Sequence, residues 1–250
     1  MPQADKSRID VDAADGVTTV RFDHAPVNAL DLDLLEAVVE TMRRIAGPLV
    51  ITGAGRCFSA GVDLRAIIDG GPEYTGRFVG MLSEAFLAVF EHPAPVVAAI
   101  NGHAIAGGCV FAMCADIRFM STGTIGLTEL AVGVPFPVAA LEICRYAMGA
   151  SVTRAALQPS TVDADTALSR RWIDAVIDDR DLLAEALTTA RTLGEHSPAA
   201  YAATKAQLHR PVRAAIDAGA ETDAQVRAAW IADDARKRIS AFLDSLTRGR

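Results

Sequence analysis

Two short apolar runs, residues 48–52 (PLVIT) and 95–100 (PVVAAI), each stop at a glycine-rich turn, and this pairing constrains the chain more than anything else in it. Apolar runs of this length without polar alternation read as strands buried on both faces, the pattern of a parallel sheet. Parallel neighbours need a crossover, and the flanking sequence supplies helical spacing for it. Residues 31–45 carry Leu34, Leu35, Val38, Val39 and Met42 on one face, with Asp31 as N-cap, and residues 80–91 repeat the pattern. A strand over 16–22 (GVTTVRF), a short helix over 107–114 and a strand over 116–120 (DIRFM) complete an alternation of the α/β class. Beyond Leu141 the strand signals fade into Ala-rich helical sequence, and Ser197-Pro198 opens a terminal helical region.

With 250 residues, 51% of them hydrophobic, the chain can bury one sizeable core. The expected division is a core over residues 1–195 and a helical region over 196–250. A formal charge of −7 argues against a nucleic-acid partner, which would require a basic face. No run approaches the length of a membrane span and no apolar stretch follows Met1-Pro2-Gln3-Ala4-Asp5-Lys6, so no membrane partner and a cytoplasmic location are expected. The cysteines Cys57, Cys109, Cys114 and Cys144 lack CxxC spacing and read as buried free thiols. The histidines are scattered, so no metal centre is expected.

The first turn runs Gly53-Ala54-Gly55-Arg56-Cys57-Phe58-Ser59-Ala60-Gly61-Val62-Asp63-Leu64. It fails as a dinucleotide fingerprint because Phe58 stands where the third glycine belongs. It fails as a nucleophile elbow because Cys57, two before Ser59, is no glycine. The second turn, Asn101-Gly102-His103-Ala104-Ile105-Ala106-Gly107-Gly108-Cys109, leaves backbone N–H groups uncovered at a positive helix end, which suits a developing negative charge. Taken singly, either turn reads equally well as a tight connection whose glycines relieve sterics.

Together, CFSAGVDL and INGHAIAGGCVFAMCADIRF resemble the enoyl-CoA hydratase/isomerase (crotonase) superfamily, and the resemblance extends from VRFDHAPVNAL to SPAAYAATKAQLHRP. It implies a spiral of ββα turns with a helical C-terminal region that builds homotrimers or dimers of trimers. It also implies an acyl-CoA thioester substrate, with coenzyme A part of the substrate and no separate cofactor. By position in the motifs, Val62 and Gly107 are the N–H donors of an oxyanion hole.

Hydratases of that superfamily carry two glutamates. The first position is Val110 here, and the second is Glu129, within IGLTEL. Hydration needs one group to activate water and another to deliver the α-proton, whereas a double-bond shift needs one base. The strings AGGCVFAMCADIRF and IGLTELAVGVPF also resemble the mitochondrial type of Δ3,Δ2-enoyl-CoA isomerase, which likewise lacks the first glutamate. Without its motif, Glu129 would read as a solvated carboxylate at a helix N-terminus.

The resemblance further implies a coenzyme A site at Arg56, Ala60, Asp63, Leu64 and Arg65, and an acyl pocket at His103, Val110, Phe136 and Pro137. Residues 66–78, with Gly70-Gly71-Pro72, read as a mobile wall of that pocket. Two alternatives stay open at this point. One is a hydratase or another chemistry of the superfamily that recruits its acid from Asp63 or Glu73. The other is a silent acyl-CoA binder.

Overall fold

The computed structural model describes residues 8–248. An antiparallel pair, β1 (Ile9–Ala14) and β2 (Val17–Phe22), leads into α1 (Leu32–Met42), which Asp31 caps by accepting the Leu34 N–H at 2.8 Å. Three passes with one plan follow. They are β3 (Leu49–Gly53), β4 (Cys57–Ser59) and α2 (Leu64–Phe90), then β5 (Val96–Ile100), β6 (His103–Ile105) and α3 (Gly107–Met113), then β7 (Ile117–Met120), β8 (Thr124–Gly126) and α4 (Glu129–Val132). Beyond them come α5 (Val138–Met148), α6 (Val152–Leu157), β9 (Val162–Asp163), α7 (Ala164–Ser169), β10 (Ala175–Val176) and α8 (Leu182–Gly194), and finally α9 (Pro198–Ala218), α10 (Ala220–Ile231) and α11 (Asp233–Arg248).

The first strand of each pass enters a six-stranded sheet of order β1-β2-β3-β5-β7-β10, and the second enters a four-stranded sheet of order β4-β6-β8-β9. This is the spiral of ββα turns that the resemblance implies. In β3 and β5 every residue is buried. Leu49, Ile51, Val96, Ala98 and Ile100 face the main core, while Val50, Val97 and Ala99 pack under α8. Cover on both faces is why these strands are uninterrupted apolar runs.

One expectation is corrected. Residues 66–78 are no loose wall but the first half of α2, helical throughout except at Gly71 (φ 72°, ψ −167°). Glycine takes that dihedral without a Cβ penalty, and Pro72 then stands at the start of a new helical stretch, where its missing N–H costs nothing. The Gly-Gly-Pro string therefore marks a kink, with Thr75 Oγ1 donating to the Gly71 carbonyl across it at 2.8 Å. The terminal helices begin where expected, Ser197 accepting the Ala200 N–H. Buried Lys205 anchors α9 to the main sheet through an ion pair with Asp116 at 2.8 Å, shared with the Tyr201 hydroxyl. The helices α10 and α11 then fold back over α2 and α4 of their own chain.

Candidate active site

In the four-stranded sheet β4, β6 and β8 run parallel as neighbours, so the three points where the chain leaves them stand side by side. Val62 follows the first exit, Gly107 the second and Glu129 the third. Residues far apart in sequence meet because one ββα plan is repeated, each pass delivering one residue to the same edge.

The first two exits are in close contact. A Cβ on Gly61 (φ 83°) would stand 2.6 Å from the Ile105 carbonyl oxygen and 3.4 Å from the Gly107 nitrogen, so the approach requires glycine. Val62 is held by a parallel bridge to Leu30, in which Leu30 N–H donates to the Gly61 carbonyl at 2.8 Å and Asp63 N–H to the Leu30 carbonyl at 2.9 Å. Among the described residues, the N–H groups of Val62 and Gly107 donate to no protein acceptor. Gly107 opens α3 after Ala106, whose φ is 51°, and a Cβ on Gly107 would meet Leu30 at 2.7 Å. Two neighbouring donors, one at a helix start and both without internal partners, can stabilise charge on a carbonyl oxygen placed between them.

Glu129 is the first residue of α4 and is buried, 8% exposed. One carboxyl oxygen, Oε2, has no partner among the described residues. Burial pushes its pKa up to about 7 from 4.5, against the smaller pull of the backbone N–H groups of Glu129 and Thr128. The thiols of Cys109 on α3 and Cys144 on α5 lie within electrostatic reach of this carboxyl, and burial keeps both protonated. A carboxyl poised near neutrality can both take and return a proton.

The other expected residues separate into groups. Arg56, Ala60 and His103 line an open cleft of about 400 Å³ together with Pro26, Ile105 and Thr124. Since Ala60 and Ile105 each stand two residues before a donor, the cleft leads to the two exits. His103 therefore groups with Arg56 and not with Val110, Phe136 and Pro137. Its Nδ1 accepts the Thr124 N–H at 3.2 Å. Asp63 caps α2, accepting from the Arg65 and Ala66 N–H groups at 3.0 Å each. Leu64 is half-buried in the first turn of α2, where Arg65 is exposed and outside the cleft lining. Val110 sits in the core, Phe136 packs half-buried against it, and Pro137 precedes α5.

Sequence reasoning passed over the two asparagines that hold the first glycine turn in place. Asn28 (φ 52°) donates through Nδ2 to the Cys57 carbonyl at 2.7 Å and the Ala54 carbonyl at 3.0 Å, and its own carbonyl accepts the Ser59 hydroxyl at 2.7 Å. Asn101 accepts the Gly53 N–H at 3.1 Å and donates to the Gly53 and Gly55 carbonyls at 2.9 and 3.0 Å. The available signal was Asn101 at the head of the second glycine turn, since an amide can both donate to and accept from loop backbone; Asn28 lies far from either turn in the sequence and gave none.

Comparison with known proteins agrees with this architecture. The family profile described as enoyl-CoA hydratase/isomerase matches residues 12–248. The human mitochondrial enoyl-CoA delta isomerase 1 is 24% identical over 95% of this chain and 82% of its own length. A probable enoyl-CoA hydratase of Mycobacterium tuberculosis is 26% identical over 92% of this chain and 91% of its own. The crystal structure of human mitochondrial Δ3-Δ2-enoyl-CoA isomerase superimposes with a TM-score of 0.91, at 23% identity, over 97% of this chain and 99% of that one.

Proposed function

The chain belongs to the enoyl-CoA hydratase/isomerase family, an enzyme family of the crotonase superfamily, and we propose that this member shifts a double bond, converting a 3-enoyl-CoA to a 2-enoyl-CoA. The observation that carries the reading is the pairing of a buried carboxyl at Glu129, whose Oε2 has no partner among the described residues, with a core valine at position 110. Ionised Glu129 takes a proton from C2, the electrons of that C–H bond move into the thioester carbonyl, and the N–H groups of Val62 and Gly107 hold the resulting oxyanion. The dienolate then collapses, the double bond moves to C2–C3, and Glu129 returns the proton at C4. Each preorganised donor contributes roughly 3 kcal/mol to such a transition state.

Hydration would need a second acid or base. Asp63 is committed to the α2 cap and Glu73 lies exposed along α2, which supports the single-base reading over recruitment of either. Coenzyme A would lie along Arg56, Ala60, Asp63, Leu64 and Arg65, with His103 at the cleft, and the acyl chain against Val110, Phe136 and Pro137. We further propose a cytoplasmic homotrimer or dimer of trimers, which sedimentation equilibrium distinguishes from a monomer. Among the described residues, no helix is long and apolar enough to cross a membrane.

Assays of purified protein on 3-enoyl-CoA and 2-enoyl-CoA test the reaction. The former should isomerise, at a rate that rises with pH through about 7 as Glu129 ionises, and Glu129→Gln should lower that rate at least ~100-fold while acyl-CoA still binds. Efficient hydration of 2-enoyl-CoA would overturn the single-base mechanism. Absence of deuterium exchange from the solvent into any enoyl-CoA would favour a silent binder.

A further inference from the structure

The helix that presents Glu129 spans one turn, 129–132, and Thr128 gives it no side-chain cap. A single turn has too few hydrogen bonds to hold its own direction. Strand β8 fixes where it starts, and further support comes from the C-terminal side. Gly133, in the left-handed region (φ 87°), and Val134 both donate their N–H groups to the Glu129 carbonyl, at 3.0 and 3.2 Å.

The segment 133–138 cannot secure itself in turn, because Pro135 and Pro137 have no N–H to give. The returning C-terminal helices hold it at three places. Arg238 of α11 lies over Gly133 so closely that a Cβ there would stand 2.4 Å from Arg238 Cδ. Asp223 of α10 accepts the Val138 N–H at 2.9 Å. Between them Trp230 of α10, 3% exposed, donates its indole Nε1–H to the Pro135 carbonyl at 2.8 Å while its ring packs on Phe78 of α2, centroids 6.4 Å apart. The indole thus joins α2 to the segment two residues beyond the turn that fixes Glu129.

We propose that Trp230 is a positioning residue for Glu129, aiming its carboxyl through the Pro135 carbonyl and the Gly133 turn, with Asp223 fixing the far end of the same segment. The proposal rests on Glu129 being the base. It differs from a packing role in that the hydrogen bond, and not the ring, carries the effect. An error of about 1 Å in a reacting group can cost on the order of 100-fold in rate, so a loosened segment should be visible in turnover before it is visible in binding.

The decisive variant is Trp230→Phe, which keeps a ring against Phe78 and removes the donor. Turnover of 3-enoyl-CoA should fall ~10-fold or more with KM little changed. A carbon-13 NMR titration of the Glu129 carboxyl should move down from about 7 as water reaches the loosened site. The titratable groups within electrostatic reach of that carboxyl are the Cys109 and Cys144 thiols, which stay protonated, while Arg238 beside Gly133 is paired with Asp234 at 2.8 Å. They leave the titration to Glu129. Should Trp230→Phe fail to fold, Asp223→Ala should produce the same two changes and Asp223→Asn, which keeps an acceptor, should reverse them. A lower melting temperature with turnover and titration both unchanged would reduce Trp230 to packing and overturn the proposal. A wild type that moves no double bond, with a titration that still shifts in Trp230→Phe, would overturn the proposed reaction and leave the positioning role standing.

Discussion

The six-stranded and four-stranded sheets are threaded by the same three passes of chain, yet they are built differently. In the larger, β3 and β5 have five residues each, all buried, and helices cover both faces. In the smaller, the strands have two or three residues each, the side chains of Asn28 and Asn101 hold the glycine turn leading into β4, and the Ser59 hydroxyl holds the exit by accepting the Gly61 N–H. The first stabilises through apolar area and tolerates small changes anywhere along it. The second contributes little area and instead fixes three chain exits relative to one another. One sheet sets whether the chain folds, the other whether the site works, and substitutions should sort by sheet.

The largest effect is expected at the second exit. Gly107→Pro removes the N–H at a helix start, a position where proline is tolerated, and its Cβ would press most closely on the movable end of Leu30. Turnover should drop on the order of 100-fold or more, the scale of losing one oxyanion donor. Affinity for coenzyme A itself, which has no thioester carbonyl, should change little, as calorimetric titration would reveal. A drop in melting temperature with normal turnover would mean that the exit serves the fold and the comparison between the sheets fails.

Legibility in the sequence follows the same divide. Strands β2, β3, β5 and β7 and helix α1 with its Asp31 cap were readable because regular burial leaves either a periodic pattern or, in β3 and β5, an uninterrupted apolar run. Strands β4, β6, β8, β9 and β10 are too short to show a period, and β1 lies at an edge with all but Ile9 exposed. Val62, Gly107 and Glu129 were found through the resemblance of whole motifs, since no spacing rule reveals that three successive strand exits will coincide. The bond from Trp230 to Pro135 spans 95 residues, and nothing local to either residue announces it.

A smaller effect, of opposite sign, is expected at the third exit. Glu129 holds its proton up to about pH 7 in the folded chain but only to about 4.5 when unfolded. Between those values the native state binds more proton than the unfolded one, so the group's contribution to stability falls as pH rises through the window, by on the order of 3 kcal/mol in all. Glu129→Gln lacks this penalty. Its stability relative to wild type should therefore increase from pH 4 to pH 8 in denaturant titrations, even as its activity is lost. A pH-independent difference would mean that the carboxyl is hydrated in solution and the site more open than its burial implies.

The smallest effect belongs to the larger sheet. Ile51, fully buried in the middle of β3, faces the main core, with Ala98 of β5 beside it in register. Ile51→Val removes one methyl group and keeps the β-branched shape, at a cost of about 0.5–1.5 kcal/mol in unfolding free energy. Ile51 lies two residues before the Gly53 N–H that Asn101 accepts, so a strand that shifted to fill the void would pull on the first glycine turn. Packed interiors relax only partly around such a deletion. The small sheet is buffered from the loss because Asn28 and Asn101 tie the turn leading into β4 by hydrogen bonds that do not depend on the volume at position 51. Turnover should stay within about twofold of wild type while the denaturation midpoint falls. If turnover instead declines in step with stability, strain passes from one sheet to the other through Gly53, and the two sheets act as one mechanical unit.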